Sequence, residues 1–73
     1  MIWTRNVDGG LVALVPTLDA QDGEVYWRIS RTGEGFALAR WTERSGEWAP
    51  VVEGMATEAD AKRAAETRVR GGL

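Results

Sequence analysis

The side chains that most often carry enzyme chemistry are scarce in this sequence. It contains no histidine and no cysteine, and Lys62 is its single lysine. Histidine is the usual general base near neutral pH and the commonest metal ligand, and thiol chemistry needs a cysteine thiolate. Four aspartates and seven glutamates are spread along the chain, and a domain this small lacks the deep cleft that a catalytic carboxylate pair requires. We therefore expect a protein that is not an enzyme and that holds no metal or cofactor.

Two short motifs that resemble ligand sites have simpler interpretations. Gly33-Glu34-Gly35 is too short and too acidic to surround a phosphate and has no following lysine, so it predicts a hairpin turn. Asp19 and Asp22 lack the spacing of a calcium-binding EF-hand loop and are interpreted as ordinary loop residues.

Length and composition predict one folded domain that spans residues 1–73. The chain is 44% hydrophobic, with four tryptophans, and no disulfide can stabilise it. Its net charge of −2 excludes a generic basic nucleic-acid binder and a strongly acidic mimic of DNA.

The sequence also gives expectations about location and source. The longest apolar run, residues 11–15, is far too short to span a bilayer, and the first residues lack a basic region followed by an apolar one. We therefore expect a cytoplasmic protein. Eight arginines against one lysine are typical of a GC-rich genome, which favours an actinobacterial or actinophage source.

Alternating apolar residues and turn signals predict an α+β fold, in which an antiparallel sheet of four to five strands precedes one C-terminal helix. An N-terminal hairpin is expected at about 2–15, with Pro16 ending its second strand and residues 17–23 forming a loop. The central strands are expected within about 24–53, where Pro50 indicates an edge strand or a bulge. The predicted strands are 2–7, 11–15, 24–30, 36–42 and 47–53.

The C-terminal helix is predicted at about 58–70, packed on one face of the sheet. Thr57 is the expected N-cap, with Asp60 three residues later and Gly71-Gly72 as the stop signal. A stripe of small residues that includes Ala61 and Ala65 is expected to pack on the sheet.

Side-chain alternation suggests which strand residues are buried. In the third strand, Val25, Trp27 and Ile29 form the expected core face. In the fourth strand both faces contain apolar residues, and the pattern does not choose between them. In the last strand, one face has a glutamate at each end, Glu47 and Glu53, and is expected to face water. The other face, with Trp48, Pro50 and Val52, is therefore expected in the core.

One helix cannot cover four tryptophans, so at least one is expected on the second face of the sheet or at an edge. Two interpretations of the uncovered face remain open. Sheet curvature or the N-terminal hairpin could cover it, or it could be a binding face rich in arginine and aromatic residues, as interface hot spots are. The candidate binding residues are Tyr26, Arg28, Phe36, Leu38 and Arg40.

Residues 53–66, which follow a strand and begin a helix, resemble the strand-to-helix junction of two DNA-binding families. These are the plant AP2 domain and the arm-binding domain of phage tyrosine integrases. The resemblance implies a three-stranded sheet that reads a DNA groove, with Trp27 or Arg28 and Arg40 or Trp41 near the DNA. In overall organisation the chain is also similar to small orphan proteins encoded by actinobacteriophages and prophages.

Two functions therefore compete. The first is a protein-interaction module, encoded by a phage or prophage, that binds a host or phage protein or forms a homodimer. The second is a nucleic-acid-binding domain that reads DNA with its sheet. Net charge disfavours the second function. It also requires five arginines to cluster, which are Arg5, Arg28, Arg31, Arg40 and Arg44. The simpler alternative is that these arginines pair with glutamates across strands.

Overall fold

A computed structural model describes residues 2–6, 10–19 and 23–71, with the backbone alone given for residues 13–19, 70 and 71. The chain forms one five-stranded antiparallel sheet in the order β1-β2-β3-β4-β5, followed by one helix, so the fold is α+β. The N-terminal hairpin therefore belongs to the main sheet. The strands are β1 (Trp3–Arg5), β2 (Leu11–Asp19), β3 (Gly23–Thr32), β4 (Gly35–Thr42) and β5 (Trp48–Met55), and the helix is α1 (Glu58–Gly71).

The first strand is shorter than predicted and ends at Arg5. The backbone N–H of Asn6 donates to the Gly10 carbonyl at 2.9 Å, which joins β1 to β2. The predicted end of this strand at Val7 and the turn residues Asp8 and Gly9 lie outside the described residues.

The prediction that Pro16 ends the second strand is wrong. β2 continues to Asp19, and its pairing with β3 shifts between Ala13 and Thr17. Proline has no backbone N–H, and the irregular pairing accommodates it without ending the strand. The predicted loop at 17–23 is correspondingly shorter, and its residues 20–22 lie outside the described part.

The helix begins as the sequence predicts and extends one residue further, to Gly71. The backbone N–H of Asp60 donates to Thr57 Oγ1 at 3.1 Å, which is the hydrogen bond of an N-cap. Ala61 and Ala65 are fully buried. Their small side chains allow the helix to lie close against β3, β4 and β5.

The core lies between this helix and one face of the sheet. Trp27 and Ile29 of β3 are buried there with Leu38 of β4, which has no exposed surface. Leu11 brings β2 into the same cluster, and Trp3 of β1 packs against it. The predicted core face of β3 is therefore confirmed.

The expectation for β5 is wrong for two of its three residues. Trp48 is 38% exposed and Pro50 is also exposed, whereas Val52 packs against the core. The pairing of β4 with β5 shifts on both sides of Leu38, which changes the side of the sheet to which successive β5 residues belong. β5 forms one edge of the sheet, as Pro50 indicated.

Candidate functional site

The five residues predicted for the binding face lie on opposite faces of the sheet. Residues that pair directly across antiparallel strands share a face. Leu38 pairs with buried Ile29, and Arg40 pairs with buried Trp27, so both belong to the helix-covered face. Phe36 lies on that face too, since it is two residues before Leu38.

The prediction that Phe36, Leu38 and Arg40 line the open face is therefore wrong. Leu38 is completely buried, Phe36 packs against the core, and the Arg40 guanidinium lies 5.7 Å from the centre of the Trp27 ring. Tyr26 and Arg28 lie on the face opposite Trp27 and Ile29, as predicted.

Two tryptophans complete the open face around Tyr26 and Arg28. The rings of Tyr26 and Trp41 are 5.3 Å apart and tilted by 55°, a usual geometry for an aromatic pair. Trp41 pairs with Trp48 across β4 and β5. The Arg28 guanidinium lies 4.5 Å from the centre of the Trp48 ring, within cation–π distance. We call these four residues, Tyr26, Arg28, Trp41 and Trp48, the aromatic patch.

Small and rigid residues border the aromatic patch. Ala39 lies between Arg28 and Pro50, with which it pairs on either side. Because Ala39 has only a methyl group, the rings and the guanidinium rise above this part of the sheet. The four patch residues belong to three adjacent strands and form one continuous surface on the side away from the helix.

The candidate binding residues predicted from strand alternation did not include Trp41 or Trp48, although the sequence carried a signal for Trp41. Thr32 pairs with Gly35 across the two-residue turn of Gly33 and Glu34. A two-residue turn fixes the register of a hairpin. Counting outward from this turn pairs Arg28 with Ala39 and Tyr26 with Trp41, which assigns both faces of β4.

The electrostatic environment differs between the two ends of the patch. The Tyr26 hydroxyl donates to Glu24 Oε2 at 2.7 Å, and the Glu24 backbone N–H donates to Glu43 Oε2 at 3.1 Å. The hydrogen bond to Glu24 is the main cause that raises the pKa of Tyr26 above its usual value of 10.0. One end of the patch is therefore acidic, while Arg28 makes the other end basic.

A cleft lies near the end of β1, and residues of the helix-covered face form most of its side-chain lining. This cleft has a volume of about 500 Å³ and includes Arg5, Arg31, Phe36 and Glu58. Arg5 Nη2 lies 3.5 Å from Glu58 Oε2. Glu58 is the single carboxylate among the described lining residues, so they do not supply the carboxylate pair of a glycosidase.

The five arginines of the nucleic-acid hypothesis do not all converge on one surface, although Arg5, Arg28 and Arg31 line the same cleft. Arg28 is on the open face, whereas Arg31 and Arg40 pair with helix-side residues. Arg5 interacts with Glu58, and Arg44 lies in the turn between β4 and β5. Arg28 and Arg40 lie over tryptophan rings.

Comparisons with known proteins do not identify a relative. No protein-family model, curated protein or solved structure matches this chain. The resemblances to AP2 domains, integrase arm-binding domains and small phage proteins therefore stay predictions. Within the described residues, no group of three or more Asp or Glu side chains is placed to hold a metal ion. None of the described helices is long and apolar enough to span a membrane.

Proposed function

We propose that this protein is a non-enzymatic interaction module that binds a protein partner through the aromatic patch. The observation that carries the proposal is the arrangement of Tyr26, Arg28, Trp41 and Trp48 as one surface on the helix-free side of the sheet. Tryptophan, tyrosine and arginine are the residue types most enriched at interface hot spots. Large rings with few rotatable bonds also lose little conformational entropy when they bind.

The charges near the patch favour a protein partner over a nucleic acid. Phosphate contacts by lysine and arginine dominate affinity for nucleic acids. Arg28 is the one basic side chain that the described strands place on the open face, while Glu24 and Glu43 lie at the other end of the patch. These carboxylates repel phosphate. A protein surface that carries both charges fits better.

The proposal is tested by placing a photo-crosslinking aromatic amino acid, p-benzoylphenylalanine, at one position at a time in living cells of the source organism. Position Trp48 lies in the patch, and Glu66 is an exposed control position on the helix. We expect a discrete protein adduct from position 48 and none from position 66. Equal labelling from both positions, or no adduct from position 48, would contradict the proposal.

A separate measurement tests the nucleic-acid alternative. The purified protein is titrated into a labelled random duplex, and fluorescence anisotropy is read at two salt concentrations. We expect no binding at low salt. Tight binding that weakens steeply with added salt would show that phosphates are contacted, and the interaction-module proposal would be replaced.

A further inference from the structure

Three alternate residues of β3 give the open face a self-complementary charge pattern. Glu24, Tyr26 and Arg28 share this face because they are separated by two positions along one strand. Tyr26 is in the middle, with the carboxylate on one side and the guanidinium on the other, each at a Cα distance of about 6–7 Å. This sequence of acid, aromatic ring and base is complementary to its own reverse.

We propose that the partner of the aromatic patch is a second copy of this chain, an inference that rests on the proposed function. The two copies pack their open sheet faces together around a twofold axis that passes near Tyr26. In this arrangement Glu24 of each copy faces Arg28 of the other, so the same ion pair forms twice. Such an isologous contact is the commonest interface of homodimers.

Both charged groups retain hydrogen-bonding capacity for this contact. Glu24 accepts the Tyr26 hydroxyl through Oε2, and a carboxylate has further acceptor positions. The Arg28 guanidinium lies 4.5 Å from the centre of the Trp48 ring, and the group carries five N–H donors.

The shape of the molecule fits a dimer that packs face to face. The molecule measures 34 × 25 × 20 Å along its principal axes. Five strands of up to ten residues, spaced about 4.8 Å apart and rising about 3.3 Å per residue, give the open side of the sheet a width of about 24 Å and a length of about 30 Å. This side is large enough for the roughly 800 Å² that each partner buries in a standard interface. The dimer would have four layers, with two sheets in the middle and a helix on each outer side.

Pairing between sheet edges is less favourable than packing between sheet faces. β5 forms one edge and contains Pro50, which cannot donate a backbone hydrogen bond. Its pairing is irregular near Leu38, which bends the strand. β1, at the other edge, has only three residues. Neither edge offers a long regular strand for a second sheet.

The test uses reversal of charge in two single variants, Glu24→Arg and Arg28→Glu. Each variant alone places like charges opposite each other, and we expect its dimer dissociation constant to rise at least about tenfold above that of the unmodified protein. When the two variants are mixed, every arginine again faces a glutamate. We therefore expect a heterodimer in the mixture. Sedimentation equilibrium over a concentration series measures all four samples.

A matched control applies the same charge changes to the outer face of the helix. Glu66→Arg and Arg63→Glu alter exposed positions, and we expect both variants to dimerise like the unmodified protein. Circular dichroism spectra compare the folding of every variant. Recovery of the dimer on mixing also shows that neither open-face variant has unfolded.

The homodimer and the proposed function can fail independently of each other. A monomer of 8.0 kDa at every concentration in the unmodified protein would overturn the homodimer. In that case, crosslinked adducts of another protein at position 48 would still support the interaction module. Dimers that the open-face variants do not weaken would place the contact elsewhere and overturn the inference.

Discussion

The Arg28 guanidinium lies 4.5 Å from the centre of the Trp48 ring, although these residues belong to β3 and β5 and are separated by the whole of β4. The β4 residue that pairs with Arg28 is Ala39, which has only a methyl side chain. Arg28 therefore holds an exposed tryptophan in place on the open face. We expect this contact to order Trp48 before the proposed partner binds.

A double-mutant cycle measures the contribution of this contact. We expect Arg28→Ala and Trp48→Ala to show a coupling free energy of about 0.5–1 kcal/mol, as for a partly exposed cation–π pair. Urea unfolding at one fixed protein concentration gives the four free energies. A control cycle combines Trp48→Ala with Arg63→Ala on the helix. In that cycle the two changes in the free energy of unfolding should simply add. Equal, near-zero coupling in both cycles would show that the contact contributes no stability.

Leu38 provides a test of the core. It is completely buried opposite Ile29, so Leu38→Ala removes apolar contacts and leaves a cavity. We expect a loss of about 2–5 kcal/mol in the free energy of unfolding. Ile2→Ala is the control, because Ile2 is 71% exposed, and its effect should stay within about 0.5 kcal/mol. A small effect of Leu38→Ala in urea unfolding would contradict the assignment of this face to the core.

The helix and the third strand could be predicted because each carries an unambiguous local signal. Thr57 is the N-cap in the structure because its hydroxyl accepts the Asp60 N–H. In β3, apolar and polar residues alternate strictly from Val25 to Ser30, and the structure buries the apolar set. Neither feature depends on distant parts of the chain.

The faces of β4 and β5 could not be predicted from composition, because both sides of each strand carry apolar residues. Their assignment depends on register, which the β3–β4 turn and the irregular pairing near Leu38 determine. The alternation in the last strand also predicted that Trp48 is buried in the core. Trp48 is instead 38% exposed, with its ring covered on one side by Arg28.

Gly35 is required by its backbone conformation and its surroundings. Its φ is +128°, and a Cβ at this position would clash with the Met55 carbonyl oxygen. We expect Gly35→Ala to reduce the free energy of unfolding by about 1–3 kcal/mol. Gly33→Ala is the matched control in the same turn, because no atom lies within 4 Å of its added Cβ. Thermal unfolding compares the two variants, and similar melting temperatures would contradict the strain at Gly35.

Thr57 allows the N-cap of the helix to be tested. Thr57→Ala removes the oxygen that accepts the Asp60 N–H, and we expect a loss of about 1 kcal/mol in the free energy of unfolding. Thr57→Ser keeps a hydroxyl at the same position and should retain most of the stability. Chemical unfolding followed by circular dichroism distinguishes the two. If both substitutions have the same effect, the hydroxyl does not act as a cap.

The Tyr26 hydroxyl gives a pH-dependent signal from the aromatic patch. Its hydrogen bond to Glu24 stabilises the protonated phenol and raises its pKa above 10.0. The corresponding stabilisation of the fold is fully present below the unfolded pKa of about 10 and is lost as pH rises through the higher folded pKa. Tyr26 is the only tyrosine, so the ultraviolet absorbance of tyrosinate reports it directly.

We expect Glu24→Gln to move the pKa of Tyr26 down towards 10.0, because it replaces the carboxylate that accepts the phenol hydrogen bond and removes its negative charge. Glu43→Gln is the control. Because Glu43 contributes less than Glu24 to the raised pKa of Tyr26, this substitution should lower the pKa by less. Tyr26→Phe should eliminate the tyrosinate signal altogether. An equal pKa of Tyr26 in the unmodified protein and in Glu24→Gln would show that the 2.7 Å hydrogen bond does not persist in solution. Glu24 would then not be linked to the Tyr26 hydroxyl.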